Sequence, residues 1–276
     1  MDTSELVATI EYWQLCGIDF LSGDRLEYSP ALPAMVSNEG RAVSSSPVPN
    51  VPYQSRQAPA KKPPPIKVEP EPVLKPSADE LLMPPVEDSA KLEMLEKLQV
   101  KAADCQRCEL HLARKQAVFG VGNPNAPVVF VGEGPGADED SIGEPFVGDA
   151  GKLLDKMLKS VGYSRDDIYI ANVVKCRPPG NRNPLPEEIA LCQHYLIDQL
   201  QIVRPKAIFC LGKFALLCLL GYTGPVGKAR GREFSWRGIP VITSFHPAYY
   251  LRTPSKKVAG WHDLLRLQKL LESLGE

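Results

Sequence analysis

Four of the seven cysteines stand where thiolates could share one inorganic centre: Cys105 and Cys108 in CQRC, Cys176 in VVKCRPPGNR and Cys192 in EEIALCQ. A Cys-x2-Cys pair with two distant partners suits both zinc and an iron–sulfur cluster, so spacing leaves the two open. The other thiols have plainer settings. Cys210 and Cys218 lie in the apolar runs IFCL and LLCLL and read as core residues, and Cys16 reads as apolar filler. The start, MDTSELVATIEYW, carries acids where an export signal would carry a basic region ahead of an apolar run. An odd cysteine count without such a signal predicts a reducing, cytoplasmic setting, with ligation favoured over disulfides.

A second group of residues suits a small planar ligand. VGEGPG at 131–136 places glycines at 132, 134 and 136, so a ligand could approach the backbone beside Glu133 and Gly134. The third glycine comes one residue too early for the GxGxxG dinucleotide pattern, and no helix is expected to open there. Phe146 in GEPFVGDAG reads either as a stacking surface for a nucleobase or as a hydrophobic plug. Asn172 closes the apolar run IYIAN, where an amide can both donate and accept. His246 opens HPAYYLR, while His111, His194 and His262 fall in helical patterns and read as surface or packing residues.

The elements that must position these groups follow from periodicity. Continuous apolar runs at 127–132, 168–174, 206–211 and 239–243 predict four buried strands. Helical patterns occupy 89–104, 149–161, 186–203, 213–220 and 255–274. This alternation predicts an α/β fold: a three-layer α/β/α sandwich around a central four-stranded, mostly parallel sheet, with ligands at the carboxyl ends of the strands. Of the 27 prolines, 14 lie between Ser29 and Asp88. That composition predicts a disordered Pro-rich linker over 29–88, between a short amphipathic segment at 1–28 and a folded domain at 89–276. Residues 1–88 carry 7 Lys/Arg against 13 Asp/Glu, a net −6, and residues 89–276 carry 25 against 20, a net +5. A mildly basic domain is compatible with a nucleic-acid partner and equally with an ordinary enzyme surface. No apolar run approaches the ~20 residues of a membrane span.

Taken in order, VGEGPGADED, GEPFVGDAGKLLDKML, YIANVVKCRPPGNRNPLPEEIALC, RPKAIFCLG and HPAYYLR resemble the family-4 uracil-DNA glycosylases, the iron–sulfur branch of that superfamily. The resemblance covers residues 89–276. It implies a [4Fe–4S] cluster on Cys105, Cys108, Cys176 and Cys192, with zinc as the less favoured occupant. It also implies hydrolysis of the N-glycosidic bond of uracil in single- or double-stranded DNA, leaving an abasic site. The alternatives are a glycosylase with a broader range of deaminated bases and a non-catalytic, metal-containing DNA-binding module. In the family, residues matching Glu133 and Gly134 contact the base, Phe146 matches the aromatic on which uracil stacks, and Asn172 matches the side chain that reads its edge. His246 matches the donor to uracil O2, Asn181 the residue that positions the attacking water, and Glu139 the acid that supports it. Superfamily relatives carry an Asp where Gly134 stands, so that water-activating carboxylate is missing here. Tyr250 stands where family members commonly carry Leu, so Tyr250 or a neighbour is expected to wedge into DNA, with Leu251 and Arg252 available for packing and phosphate contact. Further candidate phosphate contacts are Arg177, Arg182, Lys213, Lys256 and Lys257. The implied partners are uracil-containing DNA and, through the N-terminal segment, a replication or repair protein. A monomer with no membrane association is expected.

Overall fold

The computed structural model describes residues 87–275, so the expectations placed on residues 1–28 and on the linker up to residue 86 lie outside the described residues. Six strands form one sheet in the order β1-β3-β2-β4-β6-β5. They are β1 (Val121–Gly122), β2 (Val128–Gly132), β3 (Tyr169–Asn172), β4 (Ala207–Leu211), β5 (Phe234–Trp236) and β6 (Ile239–Ser244). The four expected strands are β2, β3, β4 and β6, and they pair in parallel. The expected four-stranded sheet is therefore corrected to six, with short antiparallel strands β1 and β5 at its edges. Two or three residues are too few to display the alternation by which a strand is recognised.

Helices cover both faces. On one side α1 (Asp88–Ala103), α4 (Pro186–Val203) and α5 (Lys213–Leu220) pack on Val129, Val131, Ala171, Ile208 and Cys210. On the other, α3 (Asp149–Lys159) and α8 (Lys257–Ser273) pack on Val128, Phe130, Ile170, Phe209 and Ile242. Strands buried on both faces need unbroken apolar runs, as VVFVG in β2 supplies. Shorter helices α2 (Ala137–Ile142), α6 (Val226–Ala229) and α7 (Pro247–Arg252) decorate the loops. Contrary to expectation, α2 opens directly after the glycine turn. Its first turn is closed by Glu139, whose Oε2 accepts from Gly136 N–H at 3.0 Å. No helix among the described residues is long and apolar enough to cross a membrane.

Strand register brings the candidate pocket residues to one edge. The parallel strands all stop on one row: Gly132 faces Asn172 across β2 and β3, and Leu211 faces Ser244 across β4 and β6. Side chains on this row point to the α3/α8 side, because Phe130, Ile170, Phe209 and Ile242 lie two residues earlier on that face. The chain runs from β2 to β3 on one flank and then to β4 on the other, so the row ends at a topological switch point.

A buried clamp fixes the last strand and the helix after it. Arg230 reaches Asp263 on α8 with Nε–Oδ2 at 2.6 Å and Nη2–Oδ1 at 3.0 Å, and Nη2 donates to Ala259 O at 2.6 Å. Asp263 also accepts from Ser244, whose hydroxyl oxygen lies 2.8 Å from the Tyr250 hydroxyl. An ionised Asp263 can only accept, so Ser244 donates to it and Tyr250 donates to Ser244. Gly260 leaves room for this ring, since a Cβ there would stand 2.8 Å from Tyr250 Cζ. Replacing Arg230 by Met strands the buried carboxylate and should cost about 3–5 kcal/mol in urea unfolding, with Arg230→Met/Asp263→Leu recovering much of the loss.

Candidate nucleobase pocket and cysteine recess

At the carboxyl end of the sheet, Asn172 is 2% exposed, and its Oδ1 has no hydrogen-bond partner. Phe146 lies beside it. A Cβ on Gly132 would overlap Asn172 Oδ1 and approach Phe146 Cε2 to 2.7 Å, so only glycine lets ring and amide meet over the strand end. Phe146 holds a positive φ of 56°, a conformation that side chains rarely adopt. Three neighbours impose it. Glu139 Oε1 accepts from Val147 and Gly148 N–H at 3.0 Å each, Arg165 donates to the carbonyls of Pro145 and Phe146, and Gly151 avoids a clash with the Phe146 carbonyl.

His246 faces the same spot. Its ring stacks on Phe146 with centroids 5.4 Å apart and planes 28° from parallel. The side chain caps α7, with Nδ1 accepting from Ala248 N–H at 3.2 Å. A nitrogen that accepts carries no proton, so the neutral ring bears its hydrogen on Nε2, the free donor. The ring is held neutral: burial pulls its pKa down to about 4, the Arg252 guanidinium pulls the same way, and Glu139 opposes them. Glu133, on the glycine turn, is pushed up by burial and pulled back by Lys213 and Arg252.

Two expected site residues have different jobs. Glu139 spends both oxygens on the backbone N–H groups of residues 136, 147 and 148, whereas Asn181 Oδ1 accepts from Arg177 Nε at 2.7 Å. Support of Asn181 by Glu139 is thus corrected: Glu139 braces the glycine turn and the Phe146 loop. Tyr250 is 0% exposed within the Arg230–Asp263–Ser244 clamp, so it cannot wedge into DNA. Leu251 is the apolar side chain at the surface of α7, 43% exposed, with exposed Arg252 next to it. Of the candidate phosphate contacts, Arg182 is committed to Glu188 by two bonds of 2.6 and 2.9 Å, while Lys213 and Lys256 are exposed.

The cysteines line a separate recess together with His111, Lys175 and Tyr195. Cys176 and Cys192 are buried, and Cys105 and Cys108 are partly so. Two sulfurs accept N–H bonds: Arg114 Nη1 donates to Cys176 at 2.9 Å and Lys175 N to Cys192 at 3.3 Å. Burial pushes the Cys108 and Cys176 thiols up, and that of Cys192 up to about 12. Left as free thiols they would be neutral, beside a wholly buried Lys175 ammonium whose own acceptors are neutral. As thiolate ligands they would carry the charge that balances it, so the donor set fits a thiolate-bound centre. Sequence reasoning did not single out Lys175 or Arg114, which carry no motif, and read His111 as a surface or packing residue.

An amide, an aromatic ring and a neutral imidazole meeting at the switch point of a mostly parallel sheet give an α/β protein with a candidate ligand site at its strand ends. The sequence matches the family described as the uracil DNA glycosylase superfamily over residues 119–270. It is 43% identical over 188 residues to a type-4 uracil-DNA glycosylase of Archaeoglobus fulgidus, covering 65% of this chain and 94% of that one. It is 46% identical over 168 residues to the type-4 enzyme of Thermotoga maritima, covering 60% and 88%. A type-5 uracil-DNA glycosylase of Pyrobaculum aerophilum is 37% identical over 145 residues, covering 46% and 63%. The chain belongs to the uracil-DNA glycosylase superfamily, within its type-4 branch.

The His246 environment can be checked directly. Its folded pKa lies below the unfolded value of ~6.5, so the unfolded chain binds more protons between the two, and stability falls as pH drops from about 6.5 to about 4. An NMR titration of the His246 ring should show a midpoint near 4, moved upward in Arg252→Ala. A midpoint near 6.5 would contradict the burial that lowers the ring's pKa.

Proposed function

We propose that the chain hydrolyses the N-glycosidic bond of uracil in DNA, leaving an abasic site, with the flipped base bound between Phe146 and the end of β3. The observation that carries the site assignment is the buried, partnerless Asn172 Oδ1. An unsatisfied buried acceptor costs about 1–3 kcal/mol and is retained where a ligand completes it. Uracil does so: its N3–H meets Oδ1, and the amide N–H₂ meets O4. Phe146 covers the ring face, and the backbone at Glu133 and Gly134 borders the base. Gly134 also faces a packing limit, since a Cβ there would stand 2.6 Å from Val174 Cγ2.

His246 then does the chemistry that the pocket needs. As the glycosidic bond breaks, negative charge gathers on uracil O2, and the Nε2–H donor stabilises it. Asn181, on the exposed 177–182 loop, presents water to the oxocarbenium-like sugar once Arg177 turns to a phosphate. Leu251 takes the wedging role first expected of Tyr250, and Arg252 and Lys213 reach the backbone. Residues 89–276 are the catalytic domain, and the N-terminal segment at 1–28 recruits a repair or replication partner.

The recess suits a [4Fe–4S] cluster better than one zinc ion. A single tetrahedral zinc with Zn–S bonds of ~2.3 Å needs sulfurs roughly 4 Å apart. Among the described residues, no three potential ligands converge closely enough to hold one ion. A cluster, when bound, supplies four iron atoms to which the thiolates attach. The cysteines then tie CQRC at the end of α1 to the loop after β3 and to α4, and they leave the nucleobase pocket to its own residues.

Replacing His246 by Ala should lower the single-turnover rate of uracil release about 10²–10³-fold, the worth of one preorganised donor, with DNA affinity nearly unchanged. Undiminished release would overturn the assignment, and equal cleavage of uracil, hypoxanthine and xanthine duplexes would overturn the specificity. Replacing Gly132 by Ala should raise KM for uracil-containing DNA at least about tenfold, the loss of ~1.4 kcal/mol, while abasic DNA binds as before.

A further inference from the structure

Lys175 is 1% exposed, and its ammonium donates to Asn172 O at 2.9 Å and to Gln199 Oε1 at 2.5 Å. The Phe119 ring lies 5.7 Å from the nitrogen. All three partners are neutral. The orientation of Gln199 is fixed by its own bonds, because Nε2 donates to Phe119 O at 2.9 Å and to Tyr169 OH at 3.1 Å, which turns the amide oxygen to Lys175. Buried charges are otherwise found paired or beside metals, and here no carboxylate is engaged. Among the described residues, the recess that Lys175 lines with Cys105, Cys108, Cys176 and Cys192 would supply a balancing negative charge once those thiols bind as thiolates. On its other side the same residue grips the carbonyl of Asn172, whose side chain holds the partnerless oxygen of the nucleobase pocket.

We propose that Lys175 is a positioning residue for both sites: it is the internal counter-charge of the cysteine-held centre, and the strut that seats Asn172. The proposal rests on the proposed cluster and on Asn172 as the base-reading amide. A cysteine-held centre with four thiolates is net negative, and each added electron makes it more so. A fixed cation beside it therefore favours retention of the centre and stabilises its reduced form. The same cation pulls the end of β3 toward the recess, so the base-reading amide stays seated while the centre is held.

The test uses the full chain purified anaerobically with its metal, comparing Lys175→Met, Lys175→Arg and Gln199→Glu with the parent. In Lys175→Met the reduction potential should move to more negative values, and iron should pass to a chelator several-fold faster. The same variant should lose kcat for uracil release while its affinity for abasic DNA stays put, and Lys175→Arg should restore the potential. Gln199→Glu places a carboxylate against Lys175 without removing the strut. It should shift the potential in the same direction yet leave uracil release near the parent value. An unchanged potential and unchanged iron loss in Lys175→Met would overturn the proposal. Should that variant fail to fold, an unchanged potential in Gln199→Glu would do so alone. A parent protein that holds no iron would instead sink the cluster assignment, which is read before any variant. If it holds zinc, the rate of zinc release in the same variants decides the Lys175 proposal.

Discussion

One amide oxygen at the end of a saturated apolar sheet sets the demands on much of the surrounding structure. Keeping Asn172 Oδ1 dry and unpaired costs free energy, and so does a phenylalanine at positive φ beside it. Each cost persists because neighbours leave no alternative. Gly132 and Gly151 give up side chains to make room, Glu139 ties the Phe146 loop to the glycine turn through three backbone N–H groups, and Arg165 holds two carbonyls from behind. Such over-determination is what a preorganised binding site requires, since a loop free to relax would close over the polar oxygen.

The segment between Asn172 and Cys192 serves two places at once. Within about one strand end, one loop and half a helix it provides the partnerless amide of Asn172, a buried lysine, two of the four candidate thiolate ligands and the exposed Asn181. Val173 and Val174 continue to pair with β2 past the formal strand end, through bonds to Gly132 O and Glu133 O of 3.1 Å each. The two strand ends are therefore tied together just before the chain turns into the recess. Arg182 and Glu188 then fix the loop's exit, because Glu188 accepts from both the guanidinium and the N–H of Leu185 at the start of α4. A loop that would otherwise be free is anchored at each end, and a centre bound by Cys176 and Cys192 would anchor it in the middle.

The fold was largely legible because doubly buried strands leave an unbroken apolar signature, and β2, β3, β4 and β6 lie where those runs predict them. Edge strands β1 and β5 were not, being too short to show a period. Asn172 and His246 drew attention at strand ends and Phe146 as a loop aromatic, and the structure sets the three side by side. The role of Tyr250 was misread because the resemblance sets it where family members commonly carry Leu, and sequence alone does not show that it is buried. Its hydroxyl partner Ser244 ends β6, and the Arg230–Asp263 pair behind it is assembled from the end of α6 and from α8, a convergence only the tertiary fold shows. Lys175 escaped notice for a similar reason, since only tertiary structure reveals that a lysine next to a cysteine is buried. The helix after the glycine turn was missed because its first turn is closed by a side chain three residues inside it, Glu139, and not by a conventional capping residue.

Under the proposed function, the choice of a neutral imidazole has its own logic. An imidazolium there would be a full charge in the ground state, close to Glu139 and to any phosphate that Arg252 gathers. It would bind those anions whether or not a bond was breaking, and stabilisation spent before the transition state accelerates nothing. A neutral Nε2–H has little to gain from a carbonyl oxygen and far more from that oxygen as it turns anionic in a dry site. Capping α7 with Nδ1 enforces the distinction, because protonating that nitrogen would set it against the Ala248 N–H and expel the ring from its seat. The helix cap, the nearby guanidinium and the burial of the ring all oppose the charged form, so the geometry that aims the donor also keeps it uncharged until it is needed.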